Sequence, residues 1–386
     1  MLRLAGVLRR RLNKKPIWVI AERPHEARDN GYHFFQYLCE YHPEVLAVYP
    51  ITNDSPDKSK VARLGKTVRW GGLRHYLYWA IADVTASAHA NDAAPVGRLA
   101  WQAKSAGRVF HISAYLRHGV TATGLPGFLK GNGYAFDLVT TSAPCETRFL
   151  KAHSSHSKAI REVGLCRFDA LLDAQRPKKQ VLMMPTWRRE FRGFLAKYGR
   201  NKALRLFFDS DYYRVLNGFI NSPGLCELLN RYDHEFVFYL HSGAQEFLGA
   251  FESSNPRVTI ASPQSYDVQS LLKASRIMVT DYSSVAFDFV YMGKPLVYLL
   301  PDTDFFEKHV EAAYFDLERD GFGPVVTTAT GAVQALRETL ENDASLVTPY
   351  ADRVSEFFSR RDSHNCERTF EAITTFQKAR KGSFGS

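Results

Sequence analysis

The sequence predicts an α/β protein of two parallel-sheet domains joined by a short linker, with a helical segment after the second. Three observations carry this. Short, continuous apolar runs recur in two series, at 17–20, 45–49, 84–87, 109–112 and 138–141, then at 181–185, 236–240, 258–260, 277–280 and 296–300. Each run leads into a turn and a helical pattern, and uninterrupted apolar strands alternating with helices indicate parallel sheets covered on both faces. Between the two series residues 175–180 are polar, with Arg176-Pro177-Lys178-Lys179 among them. The domains that follow are 1–175, 176–348 and a terminal stretch, 349–386, whose helix has polar faces and no strand to pair with. A length of 386 residues suits two domains.

Composition excludes several classes. Hydrophobic residues make up 45% and charged residues 23%, which rules out a disordered chain. Fifty Lys and Arg against 40 Asp and Glu give a net charge of +10, but the excess is local. Residues 1–15 carry Arg3, Arg9, Arg10, Arg11, Lys14 and Lys15 with no acid. Residues 186–205 carry seven bases against Glu190, and the tail adds Lys378, Arg380 and Lys381. The rest is mildly acidic at −5, so an anionic surface or ligand is expected at particular places. No familiar nucleic-acid module is visible. No uncharged apolar run approaches the ~18 residues needed to cross a bilayer, and the start lacks the core of a secretory signal. Five scattered cysteines (Cys39, Cys145, Cys166, Cys226, Cys366) fit a reduced cytoplasmic protein.

In such folds ligands bind beyond the carboxyl ends of the strands, here at a cleft between domains. Taken in order, the first informative end follows 109–112, where Leu116-Arg117-His118-Gly119 sets a histidine beside a glycine. An imidazole with a pKa near ~6.5 serves as base or acid. Strand 181–185 opens into Thr186-Trp187-Arg188-Arg189, whose guanidinium forks suit phosphate oxygens or form a solvated charged face. Strand 236–240 ends at His241, followed by Ser242-Gly243. Strand 277–280 runs into Asp281-Tyr282-Ser283-Ser284 and a helix closed by Gly293, with Lys294-Pro295 leading to the next strand. Ser283 and Ser284 thus lie at a helix N-terminus, where free amides and the dipole favour phosphate, although serine is also an ordinary N-cap. Asp281 would repel phosphate and is expected to meet a ribose hydroxyl, a metal or a basic residue. His153 and His156 have no further ligand at metal spacing, so zinc is not expected.

Together these segments resemble the CDP-glycerol glycerophosphotransferase family, the teichoic acid and capsule polymerases and primases, over nearly the whole chain. The most specific stretch is 267–298, where Thr280-Asp281-Tyr282-Ser283-Ser284 and Phe287-Asp288 are similar to the family's signature. Pro185-Thr186-Trp187-Arg188, the His118-Gly119 pair and residues 314–325 support it. So does Gly164-Leu165-Cys166-Arg167-Phe168-Asp169, similar to the family's Gly-x-x-Arg-x-Asp. The opening 17–32, with Glu22-Arg23 and Asp29-Asn30-Gly31-Tyr32, resembles capsule-type members. Two departures stand out. His118-Gly119-Val120-Thr121 replaces His-Gly-Thr-Pro, and Asp362-Ser363 replaces Asp-Gly, with Arg368 retained.

The resemblance implies a GT-B fold: two Rossmann-like domains, acceptor on the first, CDP donor on the second, and a final helix crossing back. It implies transfer of glycerol phosphate or ribitol phosphate from a CDP-alcohol to a hydroxyl of a membrane-linked teichoic acid or capsule acceptor, releasing CMP. The attacking alcohol must lose its proton and pyrophosphate charge must be stabilised. By matched position, His118 is assigned as base and His241 as a donor to the transferred phosphate. Thr186, Arg188, Thr280, Ser283 and Ser284 are assigned to the phosphates and Asp281 to the nucleotide side. Gly119, Arg167, Asp169 and Arg368 are further site candidates. No cofactor is required by the sequence; a divalent ion at acids such as Asp281 stays open. Acceptors carried on a membrane lipid imply a peripheral place on the anionic inner face, with residues 1–15 forming a short amphipathic helix (Leu4, Leu8 and Leu12 beside Val7). Each base there is worth on the order of 1 kcal/mol. The 188–205 patch is open to a polyanionic product or the CDP phosphates. Alternatives are a GT-B glycosyltransferase using a nucleotide sugar and a non-catalytic GT-B-like capsule assembly subunit.

Overall fold

The computed structural model describes residues 15–382, apart from 91, 97–101, 103–105, 107–108, 110, 121, 123–135, 155–158, 173–175, 241–246, 248, 263–264 and 303–313. The chain forms two compact units. The first comprises residues 1–121, 125–172 and 358–386; the second comprises 173–357 with 122–124.

In the first unit seven parallel strands lie in the order β3-β2-β1-β4-β5-β6-β7. They are β1 (Ile17–Ala21), β2 (Leu46–Ile51), β3 (Lys66–Arg69), β4 (Val84–Ser87), β5 (Ile112–Tyr115), β6 (Leu138–Thr141) and β7 (Ala159–Glu162). All five residues of β1 are buried, as a central strand covered on both faces requires. Helices α1 (Asn30–Tyr41), α2 (Lys58–Leu64), α3 (Leu73–Ile81) and α4 (Pro144–His153) belong to this unit. A Cβ on Gly31 would stand 2.4 Å from the Ala21 carbonyl oxygen, so glycine lets α1 begin against the end of β1.

The second unit carries β8 (Gln180–Met184), β9 (Glu235–Tyr239), β10 (Val258–Ala261), β11 (Ile277–Thr280), β12 (Leu296–Leu299) and β13 (Val325–Val326), parallel in the order β10-β9-β8-β11-β12-β13. Its helices are α5 (Phe194–Tyr198), α6 (Arg200–Phe208), α7 (Asp211–Ile220), α8 (Pro223–Arg231), α9 (Val268–Ala274), α10 (Val285–Tyr291), α11 (Leu317–Asp320), α12 (Ala329–Glu341) and α13 (Tyr350–Phe357). Ser210 and Ser222 start α7 and α8 by accepting from the Tyr213 and Leu225 amides, with Pro223 at the first turn of α8. An aromatic-rich core joins Trp187, Phe191, Phe207, Tyr212 and Phe247.

The terminal stretch is two helices rather than one. α13 stays with the second unit, its Phe357 ring 5.1 Å from Phe287 and 5.4 Å from Phe322. α14 (Asn365–Gly382) belongs to the first, where Phe370 packs 5.4 Å from Trp18 and stacks on His42, and Ile373 is fully buried.

Strands β3, β7 and β13 were not expected, and each lies at a sheet edge. The fifth strand begins at Ile112, three residues later than the apolar run at 109–112 suggests.

Candidate functional site

In the first unit, segments following β1, β4, β5 and β7 converge on His118. Arg117 holds a left-handed backbone (φ 63°), a conformation that costs a non-glycine residue about 1–3 kcal/mol. The surroundings hold it there. Asn30 Nδ2 donates to the Arg117 carbonyl at 2.7 Å, and Asn30 Oδ1 accepts from the Arg167 amide at 2.9 Å. Arg167 donates to the His118 carbonyl at 2.7 Å and to Asp29 at 2.6 Å. Arg117 pairs with Glu146 at 2.9 Å, both side chains buried. Glu146 is itself fixed by the Ser142 amide and hydroxyl at 2.8 and 3.0 Å.

Glu22, at the end of β1, accepts from the amides of Arg28, Asp29 and Tyr32 and so shapes the loop that presents Asp29 and Asn30. Burial first, then the neighbouring Asp29, pushes its carboxyl up to about 8 despite those three donors.

The His118 ring lies parallel to that of His89, 5.0 Å between centroids and 12° between planes. Although His118 reaches solvent, desolvation in this hollow holds its pKa below the ordinary value. Arg167, Arg117 and Arg23 add to the effect and Asp29 opposes it. Burial holds His89 lower still, to about 4, and its Nδ1 sits 3.8 Å from Asp92. The result is a neutral imidazole at a strand end, able to accept a proton. Nothing local in the sequence marks His89 as a site residue.

In the second unit the expected donor-phosphate set divides. Asp281 Oδ1 accepts from the Thr186 amide at 2.9 Å and hydroxyl at 2.7 Å, while Oδ2 pairs with Arg188 at 2.7 Å. Arg188 also grips Asp302 through Nε and Nη2 at 2.7 and 2.6 Å, and its guanidinium lies 4.9 Å from the Tyr212 ring. The Thr280 hydroxyl donates to the Met184 carbonyl at 2.7 Å, tying β11 to β8. Burial would lower the Arg188 pKa, and the two carboxylates more than reverse it. Asp281 therefore meets a basic residue, one of its three expected partners. Arg188, buried between carboxylates, differs from the open phosphate fork that its strand-end position suggests. Ser283 and Ser284 remain half-buried at the start of α10, where the Ser284 hydroxyl makes no capping bond.

The Gly-x-x-Arg-x-Asp segment docks α14. A Cβ on Gly164 (φ 88°) would fall 1.6 Å from Asn365 Oδ1. Asp169 accepts from the Asn365 and Cys366 amides at 2.8 Å each, capping α14. Arg368 bonds the Val163 carbonyl at 3.1 Å and Asp362 at 2.8 and 2.9 Å. Asp169 and Arg368 thus hold the fold, while Arg167 in the same turn supports His118. Gly119 is buried, its carbonyl 3.5 Å from Arg117 Nη2.

His241 and Arg3, Arg9, Arg10, Arg11 and Lys14 lie outside the described residues. Lys15 donates to the Pro43 carbonyl at 2.6 Å. Among the described residues no group of three or more His, Cys, Asp or Glu is placed to hold a metal ion.

Residues 3–375 match the family model of CDP-glycerol:poly(glycerophosphate) glycerophosphotransferases. The chain belongs to that family. This glycerophosphotransferase-family chain is 29% identical over 368 residues to the minor teichoic acid biosynthesis protein GgaB of Bacillus subtilis (strain 168), covering 94% of this chain and 40% of that protein. It is 26% identical over 252 residues to the teichoic acid poly(glycerol phosphate) polymerase of the same strain, covering 62% and 31%. It therefore spans less than half the length of these two relatives. Its fold matches that of the wall teichoic acid polymerase TagF soaked with CDPG, with a TM-score of 0.66 at 18% identity over 98% of this chain and 93% of that one. A looser match is the S. aureus MnaA–UDP structure, TM-score 0.55 at 15% identity over 94% of this chain and 97% of that one. The architecture is the GT-B-like pair of parallel-sheet units that the family resemblance implies.

Proposed function

We propose that this chain transfers glycerol phosphate from CDP-glycerol to a hydroxyl of a poly(glycerol phosphate) acceptor, releasing CMP. The observation that carries the reading is His118 at a strand end, its backbone held by Arg167, Asn30 and the buried Arg117–Glu146 pair and its pKa lowered by desolvation, in a chain of this family. His118 takes the proton of the acceptor hydroxyl as its oxygen bonds to the phosphorus bearing the glycerol. The bond from that phosphorus to the bridging oxygen breaks, and CMP leaves with the electron pair. In the second unit, Ser283 and Ser284 hold the donor phosphates, while the Thr186–Asp281–Arg188–Asp302 network beneath keeps the strand ends rigid. His241 keeps its phosphate-donor role on matched position alone.

The same reading puts the enzyme on an anionic membrane surface. Its support is the outer face of α3, where Leu73 is 89% and Leu77 51% exposed beside Tyr76, with Arg74 on the same helix and Arg69 at the end of β3 also exposed. Among the described residues no helix is long and apolar enough to cross a membrane.

A CMP-release assay across CDP-glycerol, CDP-ribitol and nucleotide sugars tests the proposal. Turnover with CDP-glycerol supports it. Turnover with nucleotide sugars alone overturns it in favour of a glycosyltransferase.

A further inference from the structure

The strand-end chemistry leaves one charged surface unused. From Phe191 to Phe208 the chain carries Arg192, Lys197, Arg200, Lys202 and Arg205 and no acid. All five are exposed, and among the described residues none pairs with a carboxylate. Other arginines of this unit are matched: Arg257 meets Asp233 and Glu235, and Arg276 meets Asp343. The patch is also firmly mounted. Ala203 and Phe207 of α6 are fully buried, and Phe191 packs into the core against Trp187 and Phe207. Tyr198 lies between two ammonium groups, Lys197 at 4.9 Å and Lys202 at 5.3 Å from its ring, which holds both stems against the surface.

Like charges fixed within a Debye length, ~8 Å at physiological salt, repel one another and concentrate anions locally. Three anionic partners compete. A mononucleotide's phosphates need donors that converge on one point, whereas these five cations are spread over the turn at Arg192 and two successive helices. A membrane surface rewards bulky apolar side chains that can insert. Here Leu206 and Phe208 are only 39% and 38% exposed, against 89% at Leu73 on the first unit. An extended chain with one charge per repeat fits the spread of separate, unpaired cations.

We propose that the exposed face of α5 and α6 binds an extended polyphosphodiester, holding the poly(polyol phosphate) chain outside the reacting groups. The inference rests on the proposed acceptor class, but its test needs no turnover. Purified poly(glycerol phosphate) is titrated, without CDP-glycerol, against the full chain and against a Lys197→Gln, Arg200→Gln, Lys202→Gln, Arg205→Gln variant at several salt concentrations. Affinity is expected to fall at least tenfold at moderate salt. The slope of log affinity against log salt is expected to flatten by about 3, since each phosphate contact contributes roughly 0.7–0.9. Single Lys202→Gln and Arg205→Gln variants are expected to flatten it by about 0.7–0.9 each, which reads the effect without altering four sites at once. Unchanged affinity and slope overturn the proposal. So does a loss confined to binding of phosphatidylglycerol-containing vesicles, which would assign the face to the membrane. If the intact chain shows no CMP release yet binds the polymer through these bases, the catalytic reading fails and the holding surface stands.

Discussion

Arg188 and Asp281 form an ion pair of 2.7 Å just beyond the ends of β8 and β11, with side chains 2% and 0% exposed. Asp302 closes the other edge of the guanidinium. This is a lock between strand ends, and truncating it leaves buried carboxylates without their cation. Arg188→Ala is expected to lower stability by about 3–5 kcal/mol in urea unfolding. Arg188→Lys keeps the charge but loses the planar fork, and should fall between. An Arg188→Ala protein of normal stability with only a raised KM for CDP-glycerol would make Arg188 a ligand clamp instead.

His89 makes stability fall on the acid side. Its ordinary value near 6.5 is held down to about 4 by burial, so between those pH values the unfolded chain binds a proton that the folded chain does not. Stability is therefore lost as pH drops through that window, and the lowered His118 acts in the same sense. Glu22 acts oppositely: raised from 4.5 to about 8, it favours the fold as pH falls through that range. His89→Phe keeps a ring against His118 and removes one titrating group. The stability lost between pH 7 and 4.5 is expected to shrink by on the order of 2 kcal/mol, read from urea midpoints. An unchanged pH dependence would show that His89 is not held neutral.

Gly164 is fixed by two independent facts, φ 88° and the Asn365 side chain where a Cβ would stand. Gly164→Ala should displace the N-terminus of α14 and lower stability by more than about 1 kcal/mol, since left-handed strain alone reaches that. Limited proteolysis checks it, with cleavage expected to begin within 358–382. Resistance equal to that of the natural chain would show that the turn adapts.

The outer face of α3 is expected to contribute to membrane binding. Burying one leucine is worth about 1.5–3 kcal/mol, so Leu73→Glu with Leu77→Glu should weaken sedimentation with anionic vesicles at least tenfold. If only removal of residues 1–15 matters, the anchor is the amino-terminal segment.

Central strands were legible in the sequence because burial on both faces demands continuous apolar residues, as in Ile17–Ala21 and Ile277–Thr280. Edge strands need no such run. β3 reads Lys-Thr-Val-Arg, β7 reads Ala-Ile-Arg-Glu, and β13 has two residues, so none announces itself. β5 was displaced because Ser113 is buried by hydrogen bonding, accepting from the Thr85 hydroxyl, rather than by apolarity. In the site, residue types were readable and partnerships were not. For Asp281 a ribose hydroxyl, a metal and a basic residue all stay open in the sequence, because the arginine it meets lies 93 positions away. Asn30, Glu146, His89 and Asp302 act across separations that no local spacing encodes. Arg167, Asp169 and Arg368 stand with Gly119 as undivided site candidates in the sequence, and only the fold separates the residue that supports His118 from the two that dock α14.

His118 is the most direct point of test. Steady-state CMP release from CDP-glycerol with a poly(glycerol phosphate) acceptor should be measured for the intact chain and for His118→Ala, each checked for an equal melting temperature. The expected drop in kcat is about 10²–10⁴ in the variant, and the acid limb of the intact chain's kcat/KM profile is expected to lie below pH ~6.5. Near-normal turnover by a folded His118→Ala protein would contradict it.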